Sequence, residues 1–130
     1  MQTVRVLVVD DCELTRLSLR LALANREGVS VVGVAANGLE ALDMAVASRP
    51  DAVLLDLQMP VLDGWAAAAR LKQIAPEIRV VAYSSAVELG NEQRRDASGI
   101  DAYCDKGAAI EELVNTIRPV TSRSLQAQPR

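Results

Sequence analysis

The sequence predicts an α/β domain: a five-stranded parallel sheet, doubly wound, with five helices on its two faces. Three observations carry this. Short apolar runs alternate with segments of helical period. The runs are unbroken and rich in Val and Leu, as in strands buried on both faces. Each run ends at polar residues, where ligands of open α/β sheets bind. At 130 residues the chain is long enough for one substantial core.

The elements follow in order. Val4 to Val9 is the first strand, ended by Asp10-Asp11. Residues 13–26 carry Leu14, Leu17 and Leu21 at i, i+3, i+7 spacing, which predicts an amphipathic helix with these leucines inward and Arg16 and Arg20 facing away. Gly28 fits its stop. Val29 to Ala35 is a second strand, and Asn37-Gly38 a turn. Leu39, Leu42 and Val46 mark the second helix, ended by Arg49-Pro50. The third strand is the run Ala52-Val53-Leu54-Leu55, closed by Asp56 and followed by Leu57-Gln58-Met59-Pro60. After Asp63-Gly64 comes a third helix with Ala67, Leu71 and Ile74 inward, stopped by Pro76. Arg79 to Tyr83 is the fourth strand, leading into Ser84-Ser85. Ile100 to Cys104 is the fifth, followed by Asp105-Lys106-Gly107. The last helix shows Ile110, Leu113, Val114 and Ile117, and Pro119 ends it. Residues 86–98, with Gly90 at the centre, leave two readings open: a short, irregular helix, or an ordinary exposed one anchored by Val87, Leu89 and Ala97. The folded unit spans 1–118, and 119–130 reads as a disordered tail or truncated linker.

Composition narrows the function. The net charge is −3 with no long basic run, which argues against nucleic acid as a direct partner of this chain. There is no histidine, and the only cysteines are Cys12 and Cys104, so thiolate–imidazole catalysis and His-ligated metals are excluded. Both cysteines are expected as reduced thiols, with one disulfide left open. Nothing resembles a signal peptide, and no apolar run approaches the roughly 20 residues of a membrane helix. A cytoplasmic protein without membrane partners is expected.

Right-handed crossovers favour the strand order 2-1-3-4-5 of flavodoxin-like folds. That order brings Asp10, Asp11 and Asp56 to one sheet edge, with Ser84 and Lys106 on the same rim. Three close carboxylates repel unless a proton or cation intervenes. Oxygen-only ligands point to a hard cation, and Mg²⁺ suits a few carboxylates plus waters and a phosphoryl group. A carboxylate can also be a nucleophile that forms an acyl phosphate, assisted by a lysine. No Gly-rich phosphate loop follows the first strand, so a nucleotide-binding reading lacks its main support. Singly, Asp10 would read as a helix cap and Lys106 as a surface ion-pair partner. Five such residues at strand exits argue against that.

These residues resemble the receiver domain of bacterial two-component response regulators, over about residues 4–118. The pieces are Val-Val-Asp10-Asp11, Leu-Leu-Asp56-Leu-Gln-Met59-Pro60-Val-Leu-Asp63-Gly64, Ser84, and Tyr103-Cys-Asp-Lys106. The resemblance implies that Asp56 is the phosphoacceptor, taking a phosphoryl group from the phosphohistidine of a histidine kinase. It implies Mg²⁺ ligation by Asp11, Asp56 and the backbone carbonyl of Gln58, with Asp10 acting through a metal-bound water. Lys106 would contact the phosphoryl group. Ser84 matches the switch hydroxyl and Tyr103 the aromatic that moves with it. They would relay the change to the face of the fourth helix, fifth strand and fifth helix, where an output protein or a second receiver docks. Such a domain catalyses only its own phosphorylation and dephosphorylation.

The sequence also departs from the family's commonest pattern. Lys106 is followed by Gly107 rather than Pro, as in receivers joined to helix-turn-helix transcription factors. Ser85 replaces the usual small residue after the switch hydroxyl. Gln58 and Ala86 occupy the positions that tune attack by water on the acyl phosphate, and neither is a carboxylate. The Lys-Gly pair and the run Val31-Val32-Gly33-Val34-Ala35 lean toward the transcription-factor type by analogy.

Bland readings stand beside these. Tyr103 also fits a half-buried strand aromatic. Trp65 falls off the Ala67–Leu71–Ile74 stripe and is expected partly exposed. Cys12 is expected packed near the first helix and unreactive, because acidic neighbours disfavour a thiolate. Asp63 fits a cap for the third helix, and Met59 and Pro60 shape the loop. Two other functional classes are weighed: a small Mg²⁺-dependent phosphohydrolase acting through an aspartyl-phosphate, and a non-phosphorylated interaction module. The first lacks a cap insertion and the Asp-x-Asp motif; the second is disfavoured because no site residue is missing.

Overall fold

The computed structural model describes residues 3–85 and 99–118. Five strands form one parallel sheet: β1 (Val4–Val9), β2 (Val29–Ala35), β3 (Ala52–Leu55), β4 (Arg79–Ser84) and β5 (Ala102–Asp105). Their order is β2-β1-β3-β4-β5, the doubly wound, flavodoxin-like arrangement that the sequence predicts. The two last strands end one residue later than expected, at Ser84 and Asp105, and β5 starts at Ala102 rather than Ile100. The described residues hold four helices: α1 (Glu13–Ala24), α2 (Gly38–Ser48), α3 (Gly64–Ile74) and α4 (Ile110–Ile117). The helix expected within 86–98 and the tail at 119–130 lie outside the described residues.

The period-2 alternation of the strands divides the core in two. Leu7, Val9, Val53, Leu55 and Val80 face Ala41, Ala45, Ala67, Ala68 and Leu71 of α2 and α3. Val6, Val8, Leu54 and Val81 face Leu19, Leu23, Leu113, Val114 and Ile117 of α1 and α4. The stripe expected on the final helix is thus the one that is buried. At the pole opposite the site, Arg5 donates to the carbonyls of Ser48 (2.8 Å) and Arg49 (2.7 Å) at the end of α2. Arg79 Nε donates to the Thr116 carbonyl of α4 at 3.1 Å. Both satisfy carbonyls left without intrahelical partners.

One helix buries a face other than the one expected, and two others depart from expectation in part. On α1, Leu14, Leu17 and Leu21 are 70%, 51% and 59% exposed, while Leu19 and Leu23 are buried. Two positions along an α-helix turn nearly half a revolution, so a helix with leucines at 17, 19, 21 and 23 carries them on opposite sides. The sheet takes Leu19 and Leu23. On α2, Leu39 and Val46 are exposed, Ala41 and Ala45 are buried, and the expected Leu42 packs against the core from its edge. On α3, Ala67 and Leu71 are buried as expected, and Ile74 alone of that stripe is exposed. Trp65, expected partly exposed, is buried against Leu57 and Ala82.

The α1 correction has a direct test. Leu17→Gln should change unfolding free energy by less than about 0.5 kcal/mol, as for surface positions. An inward Leu17 would cost several times more. Chemical denaturation of wild type and variant separates the two.

Candidate functional site

The site forms where β1, β3 and β5 leave the sheet. The chain leaves β1 at Asp10, which is tied at three points. Its N–H donates to the Ala35 carbonyl at 3.1 Å. Its Oδ1 accepts the Cys12 N–H at 2.9 Å, and its carbonyl accepts Arg16 Nη1 at 2.7 Å. Asp56 follows β3, with its N–H on the Val9 carbonyl at 2.9 Å and its Oδ1 accepting the Gln58 N–H at 3.2 Å. Both carboxylates are buried, at 1% and 3% exposure; Asp11 is exposed. One carboxylate oxygen from each of Asp10, Asp11 and Asp56 lies within 4.8 Å of the other two.

Lys106, just past β5, reaches across the edge. Its Nζ is 3.4 Å from Asp10 Oδ2 and 3.5 Å from Asp56 Oδ1. Its N–H donates to the Ser84 carbonyl at 3.0 Å, so lysine and serine are joined backbone to backbone. The Tyr83 hydroxyl meets the Lys106 carbonyl at 3.3 Å. Ser84 is buried.

One cation faces two buried anions, and the ionisation equilibria reflect it. Burial is the main cause that raises the Asp56 carboxyl above its ordinary value, and the Asp10 charge adds to it; the Gln58 N–H and Lys106 oppose them without winning. For Lys106 burial acts downward, but the Asp56 and Asp10 carboxylates together outweigh it and raise the ammonium. Asp10 Oδ2 is buried and makes no hydrogen bond, and the ammonium at 3.4 Å lies beyond good hydrogen-bond range. A buried acceptor left in this state is costly. An all-oxygen cluster with one such atom fits a hard divalent cation.

Two further residues shape the rim. Asp63 caps α3, accepting the Ala66 N–H at 2.9 Å, as one sequence reading has it. Gly64 lies flat against the exit of β3: a Cβ there would stand 2.2 Å from the Asp56 carbonyl oxygen and 2.6 Å from Leu57 Cα. Between them and Asp56, Leu62 N–H donates to the Pro60 carbonyl at 2.8 Å around Val61, whose φ is 72°. That is a tight three-residue turn in a conformation β-branched residues rarely adopt.

The site thus gathers Asp10, Asp11, Asp56 and Lys106 directly, and Ser84 through the backbone. Gln58 contributes its N–H to Asp56, while its side chain is exposed. Tyr103 is half-buried and belongs to another cluster, its ring centroid 6.4 Å from that of Trp65. Cys12 is exposed, contrary to expectation, and Thr15 with the first-turn amides draws its thiol below the ordinary value despite Asp10. Cys12 and Cys104 are both free thiols. Sequence reasoning missed Arg16, which was expected to face away, and the close approach of Gly64.

Comparison with known proteins agrees with this geometry. The family described as the response regulator receiver domain matches residues 6–118. The chain is 37% identical to the response regulator GacA of Pseudomonas aeruginosa over 127 residues, covering 98% of this chain and 59% of GacA. It therefore spans about three fifths of that relative's length. The receiver domain of the response regulator NarL from Mycobacterium tuberculosis superposes with a TM-score of 0.85 at 31% identity, over 94% of this chain and 98% of that one. A DNA-binding response regulator of the LuxR family from Staphylococcus aureus superposes with a TM-score of 0.82 at 25% identity, over 90% and 98%. The expectation of no nucleic-acid partner thus finds no support among the similar proteins. No helix among the described residues is long and apolar enough to cross a membrane. By its fold, its acidic cluster and its matching sequence, the chain belongs to the response regulator receiver domain family.

Proposed function

We propose that this domain is a phosphoacceptor switch in which Asp56 takes a phosphoryl group from the phosphohistidine of a histidine kinase. The observation that carries the reading is the buried Asp56 carboxylate with Lys106 at 3.5 Å and two further carboxylates beside it. Asp56 Oδ1 is occupied by the Gln58 N–H and Lys106; Oδ2 is the attacking oxygen. One P–O bond forms to Asp56, the P–N bond of the donor breaks, and the imidazole leaves with the electron pair and takes up a proton. Lys106 accompanies the transferred group, since its ammonium already spans Asp10 and Asp56.

Asp11, Asp56 and the Gln58 carbonyl would hold Mg²⁺, with Asp10 acting through a bound water. When bound, the ion neutralises charge on the phosphoryl oxygens. The buried Asp10 Oδ2, which accepts no hydrogen bond and has only the distant Lys106 ammonium beside it, and the all-oxygen donor set support this assignment. Asp56 must be ionised to attack; burial and then Asp10 raise its proton affinity, and a bound cation would favour the ionised form.

Ser84 is the switch hydroxyl: its backbone is tied to Lys106, so a displacement at the lysine is felt at the serine. Tyr103 is the second switch residue, and its contact with Trp65 gives it a defined resting position. The output protein or second receiver would meet the face that includes β5 and α4. The protein acts in the cytoplasm and turns over no external substrate.

Incubation with acetyl phosphate and Mg²⁺ tests the reading by mass. Wild type should gain one phosphoryl mass, and Asp56→Asn should gain none. Multiple turnover of small phosphoesters would replace it with a hydrolase, and absence of any adduct with an interaction module.

A further inference from the structure

Asp10 reaches the site with every polar atom but one already engaged. Its N–H is on Ala35, its Oδ1 on Cys12, its carbonyl on Arg16. Only Oδ2 accepts no hydrogen bond, and it faces the Lys106 ammonium at 3.4 Å beside Asp56. The bond from Arg16 is the shortest of the three and comes from a charged donor, the stronger kind of hydrogen bond. It is also made by a side chain from the second turn of α1, so it fixes the helix to the strand exit across the Asp10-Asp11-Cys12 turn. Arg16 is half-buried, whereas Arg20, one turn later, is exposed.

We infer that Arg16 is a positioning residue for the metal-binding turn: its guanidinium holds the Asp10 carbonyl so that the Asp10 and Asp11 carboxylates are presented together. The inference rests on the Mg²⁺ reading above. Its sign sets it apart from simple electrostatics. A guanidinium beside a cation site repels the cation, so removing it for charge reasons alone should tighten Mg²⁺ binding. Removing a clamp should loosen binding, because the carboxylates then must be ordered at the moment of binding.

The experiment is titration of the metal-free protein with MgCl₂ by calorimetry, for wild type, Arg16→Gln, Arg16→Lys and the charge control Arg20→Gln. Thermal unfolding checks that each variant is folded. Arg16→Gln should weaken Mg²⁺ binding by about three- to tenfold, a modest part of what loss of a supporting partner of a metal ligand costs. Arg20→Gln should bind no more weakly than wild type, and Arg16→Lys should recover part of the loss. Binding by Arg16→Gln that equals or exceeds wild type overturns the inference, as does an equal weakening in Arg20→Gln. Amide exchange at Cys12 without metal gives a second readout. Arg16→Gln should speed it at least threefold and Arg20→Gln should leave it unchanged. If wild type binds no Mg²⁺, the metal reading fails, and the exchange result still decides whether Arg16 clamps the turn.

Discussion

Asp10→Asn should make the metal-free protein more stable while weakening its hold on Mg²⁺ at least tenfold. Asparagine keeps an Oδ1 to accept the Cys12 N–H, so the turn into α1 survives. What disappears is a negative charge on a fully buried atom that has no hydrogen bond and shares one ammonium with Asp56. Relief of such an acceptor is worth on the order of 1–2 kcal/mol. Lys106 then serves Asp56 alone. The loss of metal affinity has the size seen when a supporting group of a metal site is removed. Urea unfolding in EDTA and Mg²⁺ titration measure the two halves, and a destabilised metal-free variant would refute the first.

The pH dependence follows with a definite sign. Burial, and then Asp10, raise the Asp56 carboxyl in the folded state, so folded protein binds that proton more tightly than unfolded chain. The metal-free protein therefore gains stability from Asp56 as pH falls through its raised value toward the ordinary carboxyl range near about 4. The gain should shrink in Asp10→Asn. Mg²⁺ binding should weaken over the same interval, because protons compete for the ligand. The raised Lys106 ammonium contributes stability that is present below the ordinary lysine value and lost as pH rises through the folded one.

Gly64→Ala should cost about 3 kcal/mol or more and slow phosphorylation at least tenfold. The three nearest atoms to the added methyl are all backbone, at 2.2, 2.6 and 2.9 Å, on Asp56 and Leu57. No rotamer relieves such a clash, so α3 or the end of β3 must shift. Overpacking of this kind commonly costs 1–3 kcal/mol or somewhat more, a large share of a typical 5–15 kcal/mol. If Asp56 is the attacking group as proposed, its displacement by even about 1 Å carries a rate penalty of about a hundredfold in well-aligned sites. Gly107→Ala is the matched control: its Cβ would meet only the Asp105 carboxylate, at 3.7 Å. Denaturation and the acetyl phosphate rate, measured on both variants, decide the matter.

The strands and their exits were legible because buried parallel strands leave an unambiguous mark: continuous Val and Leu, then an abrupt polar stop. Asp10, Asp56, Ser84 and Lys106 could be placed for the same reason. The helices were less legible. Leu14-Leu17-Leu21 has the right period, and so does Leu19-Leu23; periodicity cannot say which of two leucine stripes meets the sheet. That phase is set by the Asp10 turn, where strand becomes helix. In α2 the large Leu39 and Val46 attract the eye, yet Ala41 and Ala45 are the buried positions, whereas in α3 the expected Ala67 and Leu71 do face the core and only Ile74 does not. Trp65 was misjudged because its burial depends on Gly64 drawing the start of α3 against β3. Arg16 left no mark at all, since an arginine on a polar helix position looks the same whether it meets water or a carbonyl.

Every strand pairing is parallel, so no two neighbours in the sheet are joined by a tight hairpin. Each pairing requires closure of a long loop before it is rewarded, which slows folding. Asp10 and Lys106 sit near opposite ends of the described chain and meet only when β1, β3, β4 and β5 have come together. The acidic site is thus a late product of folding. Competence to accept a phosphoryl group should appear in a refolding experiment only with the slowest phase that completes the native sheet, so the chemistry itself reports that the last strand has docked.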